Sequence, residues 1–356
     1  VSMLFSQFAK SQSVRDISNG LKSATGNLNH LGIETAPSKS TVSYQNAKRD
    51  YSLFKDYYFQ LLSVLSAEAK FKQVKFKIKS KIFLLDSTTI SLCLSVFDWA
   101  KYKTAKGAVK MHTLLDYDGC LPSYVNITDG KTADNKGAYD VPTVKNSVIV
   151  ADRFYSDFYL LNVWDSNKVN FVVRHKENLQ YSSVRELPLP EDRHQHILKD
   201  EIIELTGVQT QNKYPKRLRR VVVWDEKNEQ EIELITNQMS WTANTIGELY
   251  KARWQVEIFF REIKQLLHIK SFIGTSENAV LIQLWTALIT ILILKALKAL
   301  AKYGWHLSNL VAFIRLNLFV KISLQEWLDN PFVPPKDSPV NIQQGVLFTK
   351  SQLSAL

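Results

Sequence analysis

The sequence predicts an α/β protein in which a mixed β-sheet is flanked by helices. Short apolar runs of strand length occupy residues 82–85 and 148–151, and an aspartate directly follows each of them. Two alternating stretches, at 109–115 and 121–127, surround an Asp-Gly turn, which is typical of a β-hairpin. Apolar residues at helical spacing dominate residues 244–319. Strands in the middle of the chain and helices late in it together favour the mixed class.

The composition limits the kind of protein. The chain has 356 residues, of which 45% are hydrophobic, with only 12 glycines and 10 prolines, so disordered and fibrous proteins are excluded. Its two cysteines cannot form a disulfide framework, and a reducing cytoplasm is the expected location. The net charge of +11 favours a polyanionic partner, although a basic soluble enzyme without such a partner has the same composition.

Residues 1–70 are predicted to form an all-helical region that binds DNA. Helical spacing covers 13–21 and 40–65, and the first 80 residues carry 12 Lys and Arg against 5 Asp and Glu, a net charge of +7. Lys48 and Arg49 follow the start of the second helix and are the candidate DNA contacts. A solvated helical arm explains the same pattern. Because the chain begins without a methionine, we also expect either an alternative start codon or a truncated N-terminus.

The remainder of the chain divides into four predicted segments. Residues 71–175 and 241–329 are assigned to two parts of the α/β core, and residues 330–356 to a proline-rich tail. Residues 176–240 are polar and contain alternating stretches, which predicts a β-rich insertion that interrupts the core. The insertion contains a basic cluster that either contacts a phosphate backbone or forms a solvated loop, namely Lys216, Arg217, Arg219 and Arg220.

One apolar stretch has to be distinguished from a membrane span. Residues 279–294 contain only three polar side chains, but they fall short of the roughly 20 residues that a spanning helix needs. Lys295 and Lys298 follow on the same predicted helix. We therefore expect a buried core helix and no association with a membrane.

Asp86 and Asp152 are the first candidates for chemistry, because each follows a predicted buried strand. Carboxylates at strand ends along one edge of a sheet can converge on a hard divalent cation, so the pair indicates a metal site. A turn former or a helix cap is the alternative for each aspartate.

A charged stripe on a late helix carries the strongest signal. At about 100° per residue, four residues fall on one narrow face of a continuous helix, namely Tyr250, Arg253, Glu257 and Lys264. The apolar residues beside them form a band that faces the core. A carboxylate flanked by cations at the edge of a buried face suits a place where a phosphate and a metal ion meet. An ordinary amphipathic helix with salt-bridged neighbours has the same pattern.

These residues match a known signature. The spacing Tyr-x2-Arg-x3-Glu-x6-Lys resembles the YREK signature of bacterial insertion-sequence transposases of the DDE class, in the branch named after insertion sequence four. Asp86 in LLDSTT and Asp152 in VADRFY resemble the first and second catalytic aspartates of that family in their surroundings. The resemblance extends over nearly the whole chain, since residues 4–68 also look like the N-terminal helical domain of that family.

The resemblance implies a ribonuclease H-like catalytic domain whose strands carry Asp86 and Asp152 and whose late helix carries Glu257. These carboxylates would hold two Mg2+ ions, for which Mn2+ can substitute, during in-line displacement at phosphorus. The implied activity is cleavage at the terminal inverted repeats of an insertion sequence, through hairpin ends, followed by strand transfer into target DNA. The pairing of two ends implies a homodimer on DNA.

The resemblance also implies roles in DNA binding. Arg253 and Lys264 would contact phosphates near the cleaved end, and Tyr250 would position the strand. An aromatic residue of the insertion would stack on a flipped base; Trp224 is the candidate and Trp241 the reserve, although either can be a core residue. Two rival functions remain open: a catalytically silent DNA-binding relative, and a ribonuclease H-like nuclease without strand transfer.

Overall fold

A computed structural model of the chain describes residues 1–333 apart from 25–26, 30–31, 69–70, 72–75, 77, 93–98, 100, 104–105, 176–177, 190–195, 267–271 and 321. Most of the predicted tail lies outside these residues. The strands of the described part are β1 Ile82–Leu92, β2 Lys101–Lys103, β3 Lys106–Asp116, β4 Leu121–Asp129, β5 Val148–Ala151, β6 Asn170–Arg174, β7 Tyr181–Glu186, β8 Ile197–Leu205, β9 Leu218–Asp225 and β10 Gln230–Thr236. The helices are α1 Ser2–Phe8, α2 Val14–Ser23, α3 Lys39–Lys48, α4 Ser52–Glu68, α5 Asp134–Ala138, α6 Phe158–Ser166, α7 Val208–Lys213, α8 Ala243–Ala252, α9 Trp254–Leu266, α10 Glu277–Leu300, α11 Leu307–Leu316 and α12 Leu324–Asp329.

The first part of the sheet has the ribonuclease H-like arrangement. Strand β1 pairs antiparallel with β3, and β3 pairs antiparallel with β4 across the hairpin turn. On the other side of β1, β5 and then β6 are added in parallel. The spatial order β4-β3-β1-β5-β6 therefore joins an antiparallel meander to two parallel strands, and the expected mixed α/β fold is confirmed.

Both faces of this sheet are buried, which explains the uninterrupted apolar runs in its central strands. Leu84 and Val150 pack into one hydrophobic cluster, whereas Leu85 and Ala151, the next residues along each strand, pack into another. Successive side chains along a strand point to opposite faces of the sheet, so alternate residues of each apolar run are buried in different hydrophobic clusters.

The β-rich insertion is not a separate sheet. Strand β10 pairs antiparallel with β6, with Leu234 opposite Arg174, and strands β9, β8 and β7 follow outward. The insertion therefore extends the core sheet to ten strands within the described residues. Alternation in the sequence identifies the strands, but it carries no information about which neighbour each strand pairs with.

The N-terminal helices differ from the prediction at one point, because the stretch 40–65 is divided into α3 and α4. The side chain of Asn278 holds the break: its Nδ2 donates to the carbonyl of Arg49 at 2.8 Å, and its Oδ1 accepts from the backbone N–H of Tyr51 at 3.0 Å. Since Asn278 lies 229 residues from Arg49 in the sequence, local spacing cannot reveal this contact.

Helix α10 is the core helix predicted from residues 279–294, although it is longer, with 24 residues. By length and mean hydropathy it is able to cross a membrane, but 78% of its most apolar window is buried inside the fold. Trp285 packs there against Tyr58, whose hydroxyl donates to the carbonyl of Pro122 at 2.8 Å. A helix that is apolar on all sides is typical of the interior of a large fold.

Candidate active site

Asp86 and Asp152 lie at the same level of two adjacent parallel strands. Leu85 and Ala151 are register partners in the pairing of β1 with β5, and each aspartate is the next residue along the chain. Asp152 follows the end of β5, as predicted, but Asp86 lies inside β1, which continues to Leu92, so the prediction that a strand ends at Asp86 is wrong. Neighbouring strands lie about 4.8 Å apart. The register of the sheet therefore brings together two carboxylates that are far apart in the sequence.

Local hydrogen bonds orient each aspartate. Asp86 Oδ1 accepts from the backbone N–H of Ser87 at 2.7 Å. Asp152 begins a short 3-10 helix, Arg153–Tyr155, and its Oδ1 accepts from the backbone N–H of Phe154 at 2.9 Å. Asp152 is therefore a helix cap as well as a wall of the site, so the two interpretations of this residue are compatible.

Glu257 joins the two aspartates from the first turn of α9. All three carboxylates line one cavity of about 480 Å³. The other residues that line this cavity are Ser87, Thr88, Arg253, Phe260, Arg261, Lys264 and Gln265. The sequence prediction grouped Asp86, Asp152 and Glu257 with Arg253 and Lys264, and these five residues share this cavity.

The electrostatics of the cavity favour a bound cation. Burial raises the pKa of Asp86 to about 7, and the neighbouring carboxylates of Asp152 and Glu257 add to the shift. Burial also raises the pKa of Asp152. The buried carboxylates thus lack enough positive charge around them to offset their desolvation.

Arg253 is the cation that bridges the site. Its Nη2 donates to Glu257 Oε1 at 2.7 Å, and its Nη1 lies 3.4 Å from Asp86 Oδ2. Its guanidinium also lies over the ring of Tyr250, with 5.5 Å between Cζ and the ring centroid. Arg253 therefore connects the first and third carboxylates of the site.

The helix that carries the stripe is not continuous, which corrects the prediction. Helix α8 ends at Ala252 and α9 starts at Trp254, because the backbone N–H of Arg253 bonds to the carbonyl of Tyr250, only three residues earlier. This hydrogen bond is of the 3-10 type, and it interrupts the regular pattern of α-helical hydrogen bonds. On α9, Lys264 still reaches the sheet and donates to Thr88 Oγ1 at 2.5 Å.

The chemistry of these residues fits a divalent metal ion, although their arrangement here is not that of a finished metal site. Carboxylate oxygens are the ligands that Mg2+ and Mn2+ take in proteins. In the part of the chain that the structure describes, however, no group of three or more His, Cys, Asp or Glu side chains lies close enough together to hold a metal ion. The guanidinium of Arg253 contacts both Asp86 and Glu257.

A second cavity adjoins the first one and contains the predicted stacking residue. Trp224 on β9 is 37% exposed and lines a cavity of about 890 Å³ together with Tyr250 and Arg253. The reserve candidate, Trp241, instead packs against the main hydrophobic cluster. The structure therefore leaves Trp224 as the better placed of the two.

Trp254 is an aromatic residue that sequence reasoning missed. It is 50% exposed, it lines the same cavity as Trp224, and Lys227 Nζ lies 5.5 Å from the centroid of its ring. Its position outside the apolar band of α9 was a usable signal, because a tryptophan on the polar side of a helix has no core to fill.

The basic cluster of the insertion divides into two pairs. Lys216 and Arg217 are exposed, with ion pairs to Asp165 and Glu204. Arg219 and Arg220, by contrast, are buried. Arg219 forms two hydrogen bonds to Asp200, of 2.8 and 2.6 Å. Arg220 is buried in the same way against Glu201 and Glu233. Because both are consumed in buried ion pairs, the prediction that they contact DNA is wrong for Arg219 and Arg220.

Lys48 and Arg49 lie where α3 ends, and both are exposed. Lys48 lines a cavity of about 740 Å³ between the N-terminal helices, the β3–β4 hairpin and the start of α10. This surface is distinct from the carboxylate cavity, because no residue lines both.

Comparison with known proteins adds independent information. The family model described as Transposase DDE domain matches residues 77–293, more than half of the chain. A second model, described as a domain of unknown function (DUF4372), matches residues 1–34.

Individual proteins are similar over most of their length. The probable transposase for insertion sequence element IS5377 of Geobacillus stearothermophilus is 28% identical over 78% of this chain and 72% of its own. The transposase candidate y4zB of Sinorhizobium fredii is 29% identical over 73% of this chain and 71% of its own. The piggyBac transposase, solved as a synaptic complex with hairpin DNA, has a TM-score of 0.45 and 10% identity, covering 97% of this chain and 77% of its own. The family match spans Asp86, Asp152 and Glu257, and on this evidence the chain belongs to the DDE transposase family.

Proposed function

We propose that this transposase binds the terminal inverted repeats of an insertion sequence, cuts the DNA in a metal-dependent reaction and joins the free ends to target DNA. The observation that carries the proposal is the single cavity lined by Asp86, Asp152 and Glu257 together with Arg253 and Lys264. With Arg261, three carboxylates and three cations line this cavity, which suits a phosphate group and its metal ions. The specific assignment to the YREK branch is part of this proposal.

Asp86, Asp152 and Glu257 are the residues that hold the divalent cations in this proposal. Bound Mg2+ or Mn2+ supplies Lewis acidity, which activates the attacking oxygen and stabilises the leaving oxygen of an in-line displacement at phosphorus. The residues themselves supply oxygen ligands and fix the geometry. Asp86 does so from inside β1 and Asp152 from the end of the adjacent strand β5, and a rigid sheet keeps their separation constant.

Arg253 and Lys264 bind the phosphates beside the cleaved bond. The Nε atom of Arg253 is buried without a hydrogen-bond partner among the described residues, so one donor remains for an incoming acceptor. If the Arg253 guanidinium moves from the carboxylates of Asp86 and Glu257 to a DNA phosphate, it keeps an anionic partner. Tyr250, which lies against the guanidinium, positions the strand.

Trp224 stacks on a base that leaves the duplex, so that the free 3′ end can attack the opposite strand and form a hairpin. The cavity beside Trp224 is large enough for a base and opens next to Arg253. Base stacking on an aromatic residue contributes about 1–3 kcal/mol. Trp254, which lines the same cavity, is a second candidate.

The exposed residues Lys216, Arg217, Lys48 and Arg49 contact the DNA backbone in this proposal. The helical region 1–70 binds the end sequence, residues 71–175 and 241–329 form the catalytic core, and 176–240 form the insertion. Two copies pair the two ends as a homodimer, and the protein acts in the cytoplasm on the nucleoid. The basic surface of α3 supports the first of these assignments.

The proposed function is tested with radiolabelled DNA that carries the terminal repeats of the element. Denaturing gels separate nicked, hairpin and strand-transfer products, with Mg2+, Mn2+ or EDTA present. We expect all three products with either metal and none with EDTA. Binding of the repeats without nicking would support a catalytically silent relative instead. Nicking without hairpins or joined products would support a nuclease.

A further inference from the structure

Asp134 begins the short helix α5 and reaches the strand that carries Asp86. Its Oδ1 accepts a hydrogen bond from Ser87 Oγ at 2.5 Å and lies 3.0 Å from Lys110 Nζ. Ser87 is the residue after Asp86, and its backbone N–H donates to Asp86 Oδ1 at 2.7 Å. Ser87 therefore connects the two carboxylates. Its hydroxyl donates to Asp134, and its backbone N–H donates to Asp86.

Helix α5 is attached to the Asp152 side of the site as well. Asn135 Nδ2 donates to Asp157 Oδ2 at 3.4 Å, and Asp157 caps the helix α6 that follows. Helix α5 also approaches β3 closely: a Cβ on Gly137 would lie 2.4 Å from Nδ1 of His112. A side chain at Gly137 would therefore force either helix α5 or the His112 ring to shift. One short helix therefore contacts both the part of β1 that carries Asp86 and the segment that follows Asp152.

The charge of Asp134 matters as much as its hydrogen bond. Lys110 Nζ also donates to the carbonyl of Thr132 at 2.7 Å, and the Lys110 side chain is only 13% exposed. A partly buried ammonium without a carboxylate partner would repel a divalent cation nearby. The Asp134 carboxylate offsets that charge.

We propose that Asp134 is a positioning residue of the catalytic site, which orients Asp86 through Ser87 and neutralises Lys110 so that a divalent cation can bind. This inference rests on the proposed function, because it takes Asp86 as a cation ligand. Replacing a residue that hydrogen-bonds to a metal ligand typically changes metal affinity by about 10–100-fold. Asp134 acts one hydrogen bond further out, through Ser87, so we expect an effect at the lower end of this range.

The experiment measures Mn2+ binding to the full-length protein without DNA, by calorimetry, for the wild type and two variants. Asp134→Asn keeps an acceptor for Ser87 but removes the charge, whereas Ser87→Ala removes the hydrogen bond and keeps the charge. We expect each variant to raise the dissociation constant for Mn2+ by about tenfold or more. At saturating Mg2+, nicking by Asp134→Asn should recover to within about threefold of the wild type, because the ligands themselves are intact.

Asp129→Asn is the matched control. Asp129 is the last residue of β4 and accepts hydrogen bonds from Thr132 in the loop that follows, but it is exposed and does not line the carboxylate cavity. Its replacement should leave the dissociation constant for Mn2+ within about twofold of the wild type, as expected for an exposed loop residue. An equal loss of affinity in this control would mean that the loop matters only for general stability, and would overturn the role of Asp134.

A double variant separates charge from general damage. In Asp134→Asn with Lys110→Met both charges are absent, and we expect most of the lost Mn2+ affinity to return. Circular dichroism checks that each variant folds. If Asp134→Asn does not fold, the dissociation constant of Ser87→Ala for Mn2+ is the measurement that tests the inference. Wild-type affinity in both Asp134→Asn and Ser87→Ala would refute the inference while the proposed function stands. A wild type that neither binds Mn2+ nor nicks DNA would refute the proposed function itself.

Discussion

The guanidinium of Arg253 donates a 2.7 Å hydrogen bond to Glu257, one turn later along the chain. The same guanidinium contacts Asp86 on the central strand, so a protein cation lies between two residues that we propose as metal ligands. A guanidinium and a divalent cation compete for the same oxygens. DNA that draws Arg253 to a phosphate would therefore favour metal binding, and the coupling is reciprocal.

Replacing Arg253 by alanine should have opposite effects on the binding of Mn2+ and on the binding of DNA. Mn2+ affinity of the DNA-free protein should rise by at least about threefold, because a competing charge is removed. Affinity for terminal-repeat DNA should fall, and the salt slope of binding should decrease by about one. Calorimetry and salt-dependent gel shifts measure the two effects. Weaker Mn2+ binding in Arg253→Ala would show that Arg253 does not compete with the metal.

Replacing Asp86 by asparagine should stabilise the metal-free protein in a pH-dependent way. The pKa of Asp86 is raised from 3.8 to about 7 on folding, so the unfolded chain gives up this proton first and stability is lost as the pH rises between these values. Asparagine stays neutral. The melting temperature of Asp86→Asn in EDTA should therefore exceed that of the wild type by several degrees at pH 8, and by clearly less at pH 5.

Asp225→Asn provides a control of opposite sign for this measurement. A hydrogen bond from the Asn228 side chain, followed by backbone N–H groups, lowers the pKa of Asp225, so its charged form is favoured by folding. Removing that charge should lower the melting temperature at pH 8 or leave it unchanged. A melting temperature of Asp86→Asn equal to or below that of the wild type at pH 8 would contradict the unfavourable burial of Asp86.

Trp224→Ala should slow the steps that need an extruded base. Loss of one stacking contact of about 1–3 kcal/mol corresponds to roughly 5–150-fold in hairpin formation. Trp224→Phe keeps an aromatic face and should retain most of the activity. The measurement is the rate of hairpin formation from DNA that is already nicked, which isolates this step. Hairpin formation at the wild-type rate in Trp224→Ala would shift the stacking role to Trp254.

Arg220 and Arg217 offer a matched comparison of buried and exposed arginines. Arg220 is buried between Glu201 and Glu233, and breaking a buried ion pair costs about 3–5 kcal/mol. Arg217 is 61% exposed, and its pair with Glu204 contributes about 0–1 kcal/mol. Arg220→Ala should therefore destabilise the fold strongly in urea titrations, whereas Arg217→Ala should mainly reduce the salt slope of DNA binding. The reverse pattern would restore Arg220 as a DNA contact.

The sequence predicted those parts of the site that follow from local order. The apolar runs before Asp86 and Asp152 correctly mark two strands, and the parallel pairing of these strands places the aspartates side by side. The sequence does not show that β1 continues beyond Asp86, because residues 87–92 gain their strand conformation from pairing with β3. The helical spacing of Arg253 and Glu257 predicts their contact correctly, because it depends on one turn of backbone. The contacts of Asp134 cannot be predicted from local spacing, because its partners Ser87 and Lys110 lie 47 and 24 positions earlier in the chain.

The prediction of DNA contacts in the insertion failed for a different reason, because two of its arginines are buried. A run of basic residues at 216–220 looks like one DNA-binding patch. In the sheet, however, Arg220 lies opposite Glu201 on β8, so the strand register converts it into part of a buried network. Lys216 and Arg217 at the start of this run are exposed, whereas Arg219 and Arg220 at its end are buried. This difference follows from the pairing of β9 with β8 and β10, which the run itself does not reveal.

The central claim is that Asp86, Asp152 and Glu257 act as one metal-dependent catalytic site. Glu262 is the matched control for Glu257, because it lies on the same helix and instead pairs with Lys295. The decisive measurement is Mg2+-dependent nicking of terminal-repeat DNA by Asp86→Asn, Asp152→Asn, Glu257→Gln and Glu262→Gln, with binding of the same DNA measured in parallel. We expect a loss of at least about a thousandfold in nicking for the first three variants and nearly normal nicking for Glu262→Gln, as for groups that act as a unit. DNA binding should stay within a few fold of the wild type throughout. Nicking that persists in any of the first three variants would contradict the claim.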